Sequence, residues 1–157
     1  MRLEVKNDRT LKLNNVIIRR VNEEELEDFN FQVEIEKMRN FIRVHGATQI
    51  GPLIQHSKIR KDFNEDVKIY LEFIMQCDRN ICNVKNQYIH KPVLKISNCM
   101  YCHYEGSENN LRFAREKIEI LAFEEERKLM GDCYTVYIDV NDKTEIIRAD
   151  VFMPVKE

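Results

Sequence analysis

Apolar and polar residues alternate most regularly over 67–77, where Val67, Ile69, Leu71, Phe73 and Met75 are set against Lys68, Tyr70, Glu72, Ile74 and Gln76. A period of two predicts a strand. The β-branched run 16–21 predicts another. Between them Phe31, Ile35, Met38, Ile42 and His45 fall at steps of four, three, four and three, which is one face of a helix. Gly46 can take the left-handed conformation that ends it. The acidic stretch Glu23-Glu24-Glu25-Leu26-Glu27-Asp28 leads into this helix, where negative charge suits the positive N-terminal end. The segment 49–57 predicts a strand that lies at an edge or begins irregularly, because Pro52 after Gly51 cannot donate to a central ladder.

The same order then recurs. Residues 93–105 predict a strand and Gly106-Ser107 a turn, with Ser107 as helix cap and Glu108 in the first turn. Leu111, Ala114, Ile118, Leu121, Ala122 and Leu129 form a buried helical stripe that Gly131 closes. Two strands, 133–140 and 145–155, follow, joined at Asn141-Asp142-Lys143. The echo is also literal. Asn15-Val16-Ile17-Ile18-Arg19-Arg20-Val21 is matched by Asn98-Cys99-Met100-Tyr101-Cys102-His103-Tyr104, and Leu71-Glu72-Phe73-Ile74-Met75 by Ala149-Asp150-Val151-Phe152-Met153. The predicted fold class is therefore α+β: a tandem strand-helix-strand-strand repeat with antiparallel sheets and pseudo-twofold symmetry. It forms a single domain over 1–157, with copies at about 13–77 and 96–156 and a linker at 78–92. Repetition also places an expected ligand near the seam where the copies meet.

At 157 residues and 43% hydrophobic the chain can bury a core of one domain. Charged residues make up 33%, yet acids and bases nearly cancel to a net −2. The densest basic spots, Arg19-Arg20 and Lys58 to Lys61, are short, which argues against nucleic-acid binding. No run reaches the roughly 18 apolar residues of a membrane span. Met1-Arg2-Leu3-Glu4-Val5-Lys6 carries acid early and lacks the apolar stretch of a signal peptide. Five cysteines without an export signal predict a cytoplasmic chain with free thiols.

Cys99-Met100-Tyr101-Cys102-His103 spells the pattern of covalent haem attachment. That chemistry needs export, and strand positions three apart point to opposite faces, so the thiols do not converge. Cys77 and Cys82 are too loosely spaced for a zinc knuckle. No cofactor and no metal is expected. There is no phosphate loop, nucleophile elbow or Ser-His-Asp pattern, and no catalytic residue is assigned.

Asp150 is the leading candidate for recognition. A carboxylate among apolar and aromatic side chains is costly to desolvate, and a cationic ligand offsets that cost. Phe152 shares its strand face; so does Arg148, which could instead neutralise it. Glu72 is the counterpart of Asp150 between Tyr70 and Ile74, although a solvated sheet face would also explain Lys68, Glu72 and Gln76 together. His103 shares a face with Tyr101 and could reach a pocket. His45, by contrast, reads as a packed helix-terminal residue.

Tyr137-Ile138-Asp139, the terminal Asp150-Val151-Phe152-Met153-Pro154-Val155, Gly51-Pro52-Leu53-Ile54 and Glu72-Phe73-Ile74-Met75 together resemble the gyrase-inhibitory-protein-like (GyrI-like) superfamily. This group includes the effector-binding domains of multidrug-sensing transcription regulators. The resemblance spans roughly 13–156 and is nearest to stand-alone members from Gram-positive bacteria, some encoded near type VII secretion genes. It implies a small-molecule pocket between the copies, lined by aromatics and holding an acid of the last strand. By position that acid is Asp150, where the superfamily more often has glutamate, and the tyrosine of the preceding strand is Tyr137. No helix-turn-helix precedes Asn15, so promoter binding is not expected.

These readings converge on a non-enzymatic module for a small amphipathic or cationic, aromatic molecule. Asp150 supplies charge, Tyr137, Phe152 and Tyr101 supply stacking surface, and Glu72 and His103 lie within reach. A second reading is a protein-interaction adaptor serving type VII secretion. A third is a hydrolase of small electrophiles, which needs Glu72 or His103 near a tyrosine hydroxyl.

Overall fold

The computed structural model describes residues 3–61, 64, 66–81, 88–141 and 143–157, with the backbone alone at 60 and 61. Cys82 and Asp142, which entered the sequence reading, lie outside the described residues. The element order is β1 (Val5–Val21), a 3₁₀ turn (Glu23–Glu25), α1 (Phe31–Val44), β2 (Gln49–Lys61), β3 (Val67–Cys77), β4 (Ile89–Ser107), a second 3₁₀ turn (Glu108–Asn110), α2 (Arg112–Glu124), β5 (Asp132–Asn141) and β6 (Ile146–Pro154). Antiparallel sheet with two helices is α+β, as the patterning predicts. The chain divides into two compact units, Lys12–Leu94 and the pair of segments Met1–Leu11 and Lys95–Glu157, so the division falls inside β1 and β4.

In the Lys12–Leu94 unit β3 lies between β1 and β2, with Glu72 opposite Arg20 on one side and His56 on the other. Ile17, Val21, Leu71, Phe73 and Met75 turn one face of this sheet onto Met38 and Ile42 of α1. The helix forms where its periodicity predicts, but its start differs. Asn30 caps it by accepting from the Val33 amide (3.2 Å), and the acidic stretch forms a separate turn instead of feeding the helix. Phe31 stays 46% exposed. β2 begins irregularly, as Gly51-Pro52 predicts: its register shifts between Ile50 and Ile54, and Gly51 has φ 75°.

In the other unit β6 lies between β4 and β5, and Asp150 is opposite His103 and Val136. Met100, Cys102, Tyr104, Ala149, Val151 and Met153 face Ala114, Ile118 and Ala122 of α2. Gly131 does not close this helix. It ends at Glu124, and Glu126 takes the left-handed conformation (φ 57°) while the Arg127 amide returns to the Ala122 carbonyl at 2.8 Å. The same bond closes α1, from the Ala47 amide to the Ile42 carbonyl at 3.1 Å, with Gly46 at φ 74°. A closing interaction of this kind satisfies carbonyls the helix leaves open, and α2 makes it with a glutamate. Ser107 accepts from the Asn109 amide and so caps the 3₁₀ turn, not α2.

Two strands are longer than predicted. β4 starts at Ile89, inside the segment read as linker, and β1 starts at Val5, eleven residues before Val16. Lys6, Asp8, Arg9, Thr10, Lys12 and Asn14 dominate that first stretch. Positive φ at Asp8 (58°) and Asn15 (49°) breaks the strict alternation on which strand recognition rests.

Candidate functional site

The β6 register sets Tyr101 opposite Phe152 and His103 opposite Asp150, so these four side chains share the sheet face away from α2. Asp150 Oδ1 accepts from the Tyr101 hydroxyl at 2.7 Å and lies 2.7 Å from His103 Nδ1. No hydrogen bond to Oδ2 is found among the described residues. The Tyr101 and Phe152 rings sit beside it with centroids 5.0 Å apart, and the Arg9 guanidinium lies 5.8 Å from the Tyr101 centroid. The Asp150 side chain keeps 22% of its surface exposed, enough for direct approach. A carboxylate with one oxygen occupied and an aromatic pair alongside has the makings of a cation site.

His103 has carboxylates on both ring nitrogens. Its Nε2 lies 3.1 Å from Glu105 Oε1, while Nδ1 meets Asp150. Ionised carboxylates only accept, so both contacts are hydrogen bonds only when the ring carries two protons. The hydrogen bonds to Asp150 and then Glu105 accordingly raise the imidazole's pKa against a smaller opposing effect of burial. The hydrogen bond from His103 holds the Glu105 carboxyl below its usual range. Burial, then the hydrogen bond to Asp150, push the Tyr101 phenol well up. That hydroxyl keeps its proton and donates it to Asp150. Arg148 does not neutralise Asp150: its Nε lies 3.5 Å from Glu105.

Glu72 has a comparable setting in its own unit. Its Oε1 is 2.8 Å from His56 Nδ1, and Oε2 accepts from Arg20 Nε at 2.9 Å. Burial raises this carboxyl, but the hydrogen bonds and charges of His56 and Arg20 outweigh it, and the net direction is down. The solvated face that Lys68, Glu72 and Gln76 suggest is solvated at one end only, where Lys68 and Tyr70 are exposed. Ile18, Ile54 and Ile74 are nearly fully buried on it, and the Glu72 side chain is 12% exposed. Sequence reasoning missed His56, Arg20, Glu105 and Arg9.

The structure does not bring Tyr137 to the Asp150 face. It is opposite Ala149 and packs against the core under α2, where burial pushes its phenol up to about 12. Cys99 and Cys102 point to opposite faces, as strand geometry requires, and Cys102 joins that same core. Among the described residues no group of three His, Cys, Asp or Glu side chains is placed to hold a metal ion, and no helix is long and apolar enough to cross a membrane. His45 is exposed at the end of α1, its Nδ1 lying 2.8 Å from the Phe41 carbonyl oxygen.

No family model matches the chain, and no curated protein matches it by sequence. Solved structures do. The EcmrR C-terminal domain aligns with TM-score 0.67 and 14% identity over 99% of this chain and 98% of that one. In the EcmrR–DNA complex the chain spans only 57% of EcmrR (99% of this chain, TM-score 0.65, 15% identity). SAV2435, solved bound to tetraphenylphosphonium, aligns with TM-score 0.56 and 12% identity over 99% of this chain and 94% of that one. A hydrolase encoded by lin2189 from Listeria innocua aligns with TM-score 0.53 and 11% identity, covering 98% and 91%. At these identities the likeness shows the fold.

Proposed function

We propose that this chain is a GyrI-like effector-binding module that takes a small lipophilic cation on the face carrying Tyr101, Asp150 and Phe152, without catalysing a reaction on it. The observation that carries this reading is the Asp150 carboxylate, partly exposed beside two aromatic rings. Such a surface attracts a delocalised cation through charge and ring quadrupole together, and repels nothing about its apolar shell. The fold shared with SAV2435, which was solved with tetraphenylphosphonium, supports the ligand class. The raised phenol of Tyr101 supports a binding role over nucleophilic attack.

The tandem repeat belongs to the same proposal. Element order, the left-handed Asn15 and Asn98, and the shared closing bond of the two helices support descent from one duplicated unit. Glu72 and Asp150 would then be one ancestral acid, each now held by a histidine. The test of ligand class is calorimetric titration with tetraphenylphosphonium and with neutral triphenylphosphine oxide. The cation is expected to bind and the neutral compound to bind much more weakly; equal affinity would remove Asp150 from the reading.

pH gives an independent check. Protonated His103 competes with a ligand cation for Asp150, so cation affinity should rise with pH as His103 loses its proton. Because its pKa is raised, the rise should centre above the ordinary imidazole value of about 6.5. The expected gain is about two- to fivefold, the scale of a partly screened charge pair. Stability runs the other way: the contribution of this ion pair is full below the unfolded-state value and is lost as pH climbs through the folded one. A flat affinity profile from pH about 5.5 to about 8.5 would exclude the competition.

A further inference from the structure

Helix α2 presents an apolar outer face. Phe113, Ile120 and Phe123 are 43%, 59% and 85% exposed, while Ala114, Ile118 and Ala122 on the other side are buried. Spacings of seven and three put the exposed set on one stripe. The corresponding stripe of α1, counted back from the left-handed residue that closes each helix, holds Val33, Glu36, Asn40 and Arg43 against Phe113, Glu116, Ile120 and Phe123. In α1 the outer polar groups are satisfied locally, Arg43 donating to Asn40 at 2.7 Å. In α2 the asparagine and arginine levels carry isoleucine and phenylalanine. Nothing about helix formation or the core asks for that exchange.

We infer that the outer face of α2 pairs, antiparallel and about a twofold axis, with the same face of a second copy of this chain. The charges identify the occupant. Beside the stripe the helix is basic in its first half (Arg112, Arg115, Lys117) and acidic in its second (Glu119, Glu124), continuing into Glu125 and Glu126. An antiparallel twofold pair lays each basic half along an acidic half, the self-complementarity that an isologous contact requires. With the axis at the level of Ile118, Phe113 lies against the partner's Phe123. On one flank Lys117 approaches the partner's Glu124; on the other, Arg112 and Arg115 are drawn to Glu116 and Glu119 of their own helix, at 3.9 and 3.4 Å. Glu116, level with the partner's Ile120, is drawn aside by Arg112 at 3.9 Å, leaving its methylenes on the stripe. A parallel pair would instead set like charges against each other. The 13-residue helix is about 20 Å long and covers less than the roughly 1,200 Å² of a standard interface, so the dimer is weak and reversible.

Sedimentation velocity on the full chain, from about 1 to about 200 μM, reads this directly. The expected result is a concentration-dependent shift from monomer to dimer. Ile120→Asn with Phe123→Arg, the residues α1 carries at those levels, should weaken it at least tenfold while the thermal unfolding curve stays in place. Lys117→Glu should weaken it, and adding Glu124→Lys should restore it. A wild type that remains monomeric throughout overturns the proposal and leaves the face to a different partner. So does a dimer indifferent to the double substitution. A dimer that needs Phe123 but is not rescued by the charge exchange overturns the antiparallel arrangement.

Discussion

Asp150→Asn is expected to weaken binding of tetraphenylphosphonium by about 1–3 kcal/mol, and to change binding of neutral triphenylphosphine oxide far less. Asparagine keeps the shape, and its carbonyl oxygen can still accept from the Tyr101 hydroxyl that now reaches Oδ1 at 2.7 Å. The aromatic pair with Phe152 therefore keeps its geometry, and what is removed is the negative charge. The contrast between ligands is what makes the measurement decisive. Equal losses for both would mean damage to the sheet, which an unfolding curve would reveal. If neither compound binds the wild type, the cation reading fails and the adaptor reading takes its place.

Arg19→Met is expected to lower unfolding free energy by about 2–3 kcal/mol, measured by denaturant titration. Arg19 is a nearly buried cation on the α1 side of its sheet, with a side chain 10% exposed. Its guanidinium donates to the Arg20 carbonyl at 2.6 Å, to Glu25 at 2.9 Å and to Glu34 at 3.4 Å, and lies 5.8 Å from the Phe29 ring centroid. Removing it takes a donor from the Arg20 carbonyl and leaves Glu34, 14% exposed, with Lys37 at 3.4 Å as its one ion-pair partner among the described residues. Glu25 is 38% exposed and can return to water, which keeps the loss below the full cost of an isolated buried charge. Arg19→Lys should recover little, because one ammonium cannot span a carbonyl and two carboxylates. A loss under about 0.5 kcal/mol would show that both acids simply re-solvate.

How much of this was readable in the chain varies with the range of the interaction. β3 was legible to the residue because a period of two leaves no other reading. His56 opposite Glu72 was within reach of arithmetic: once β2 and β3 are paired as a hairpin centred on Asn64, positions 56 and 72 fall opposite each other, but Gly51-Pro52 points only to the irregular end of β2. His103 against Asp150 joins strands 47 residues apart, which periodicity cannot pair. Tyr137 shows the limit of positional resemblance. It lies in the strand beside Asp150, yet its pleat turns it to Ala149 and the core. Gly131 was the obvious helix stop because glycine alone enters the left-handed region freely, and the chain uses Glu126 instead, five residues earlier. Arg19 read as half of a basic spot, since no local pattern marks a buried arginine.

The cysteines carry a consequence in time. Cys77, Cys99, Cys102 and Cys133 are all buried free thiols, and burial pushes Cys77, Cys99 and Cys133 up to about 11. Only about one such thiol in ten thousand is ionised at neutral pH, so at these sites an alkylating reagent finds almost no target while the fold is closed. Alkylation then waits on opening, and its rate becomes a clock for that event. Cys77 belongs to the Lys12–Leu94 unit and the other three to its companion, so mass analysis of a single alkylation course would time the opening of each unit separately.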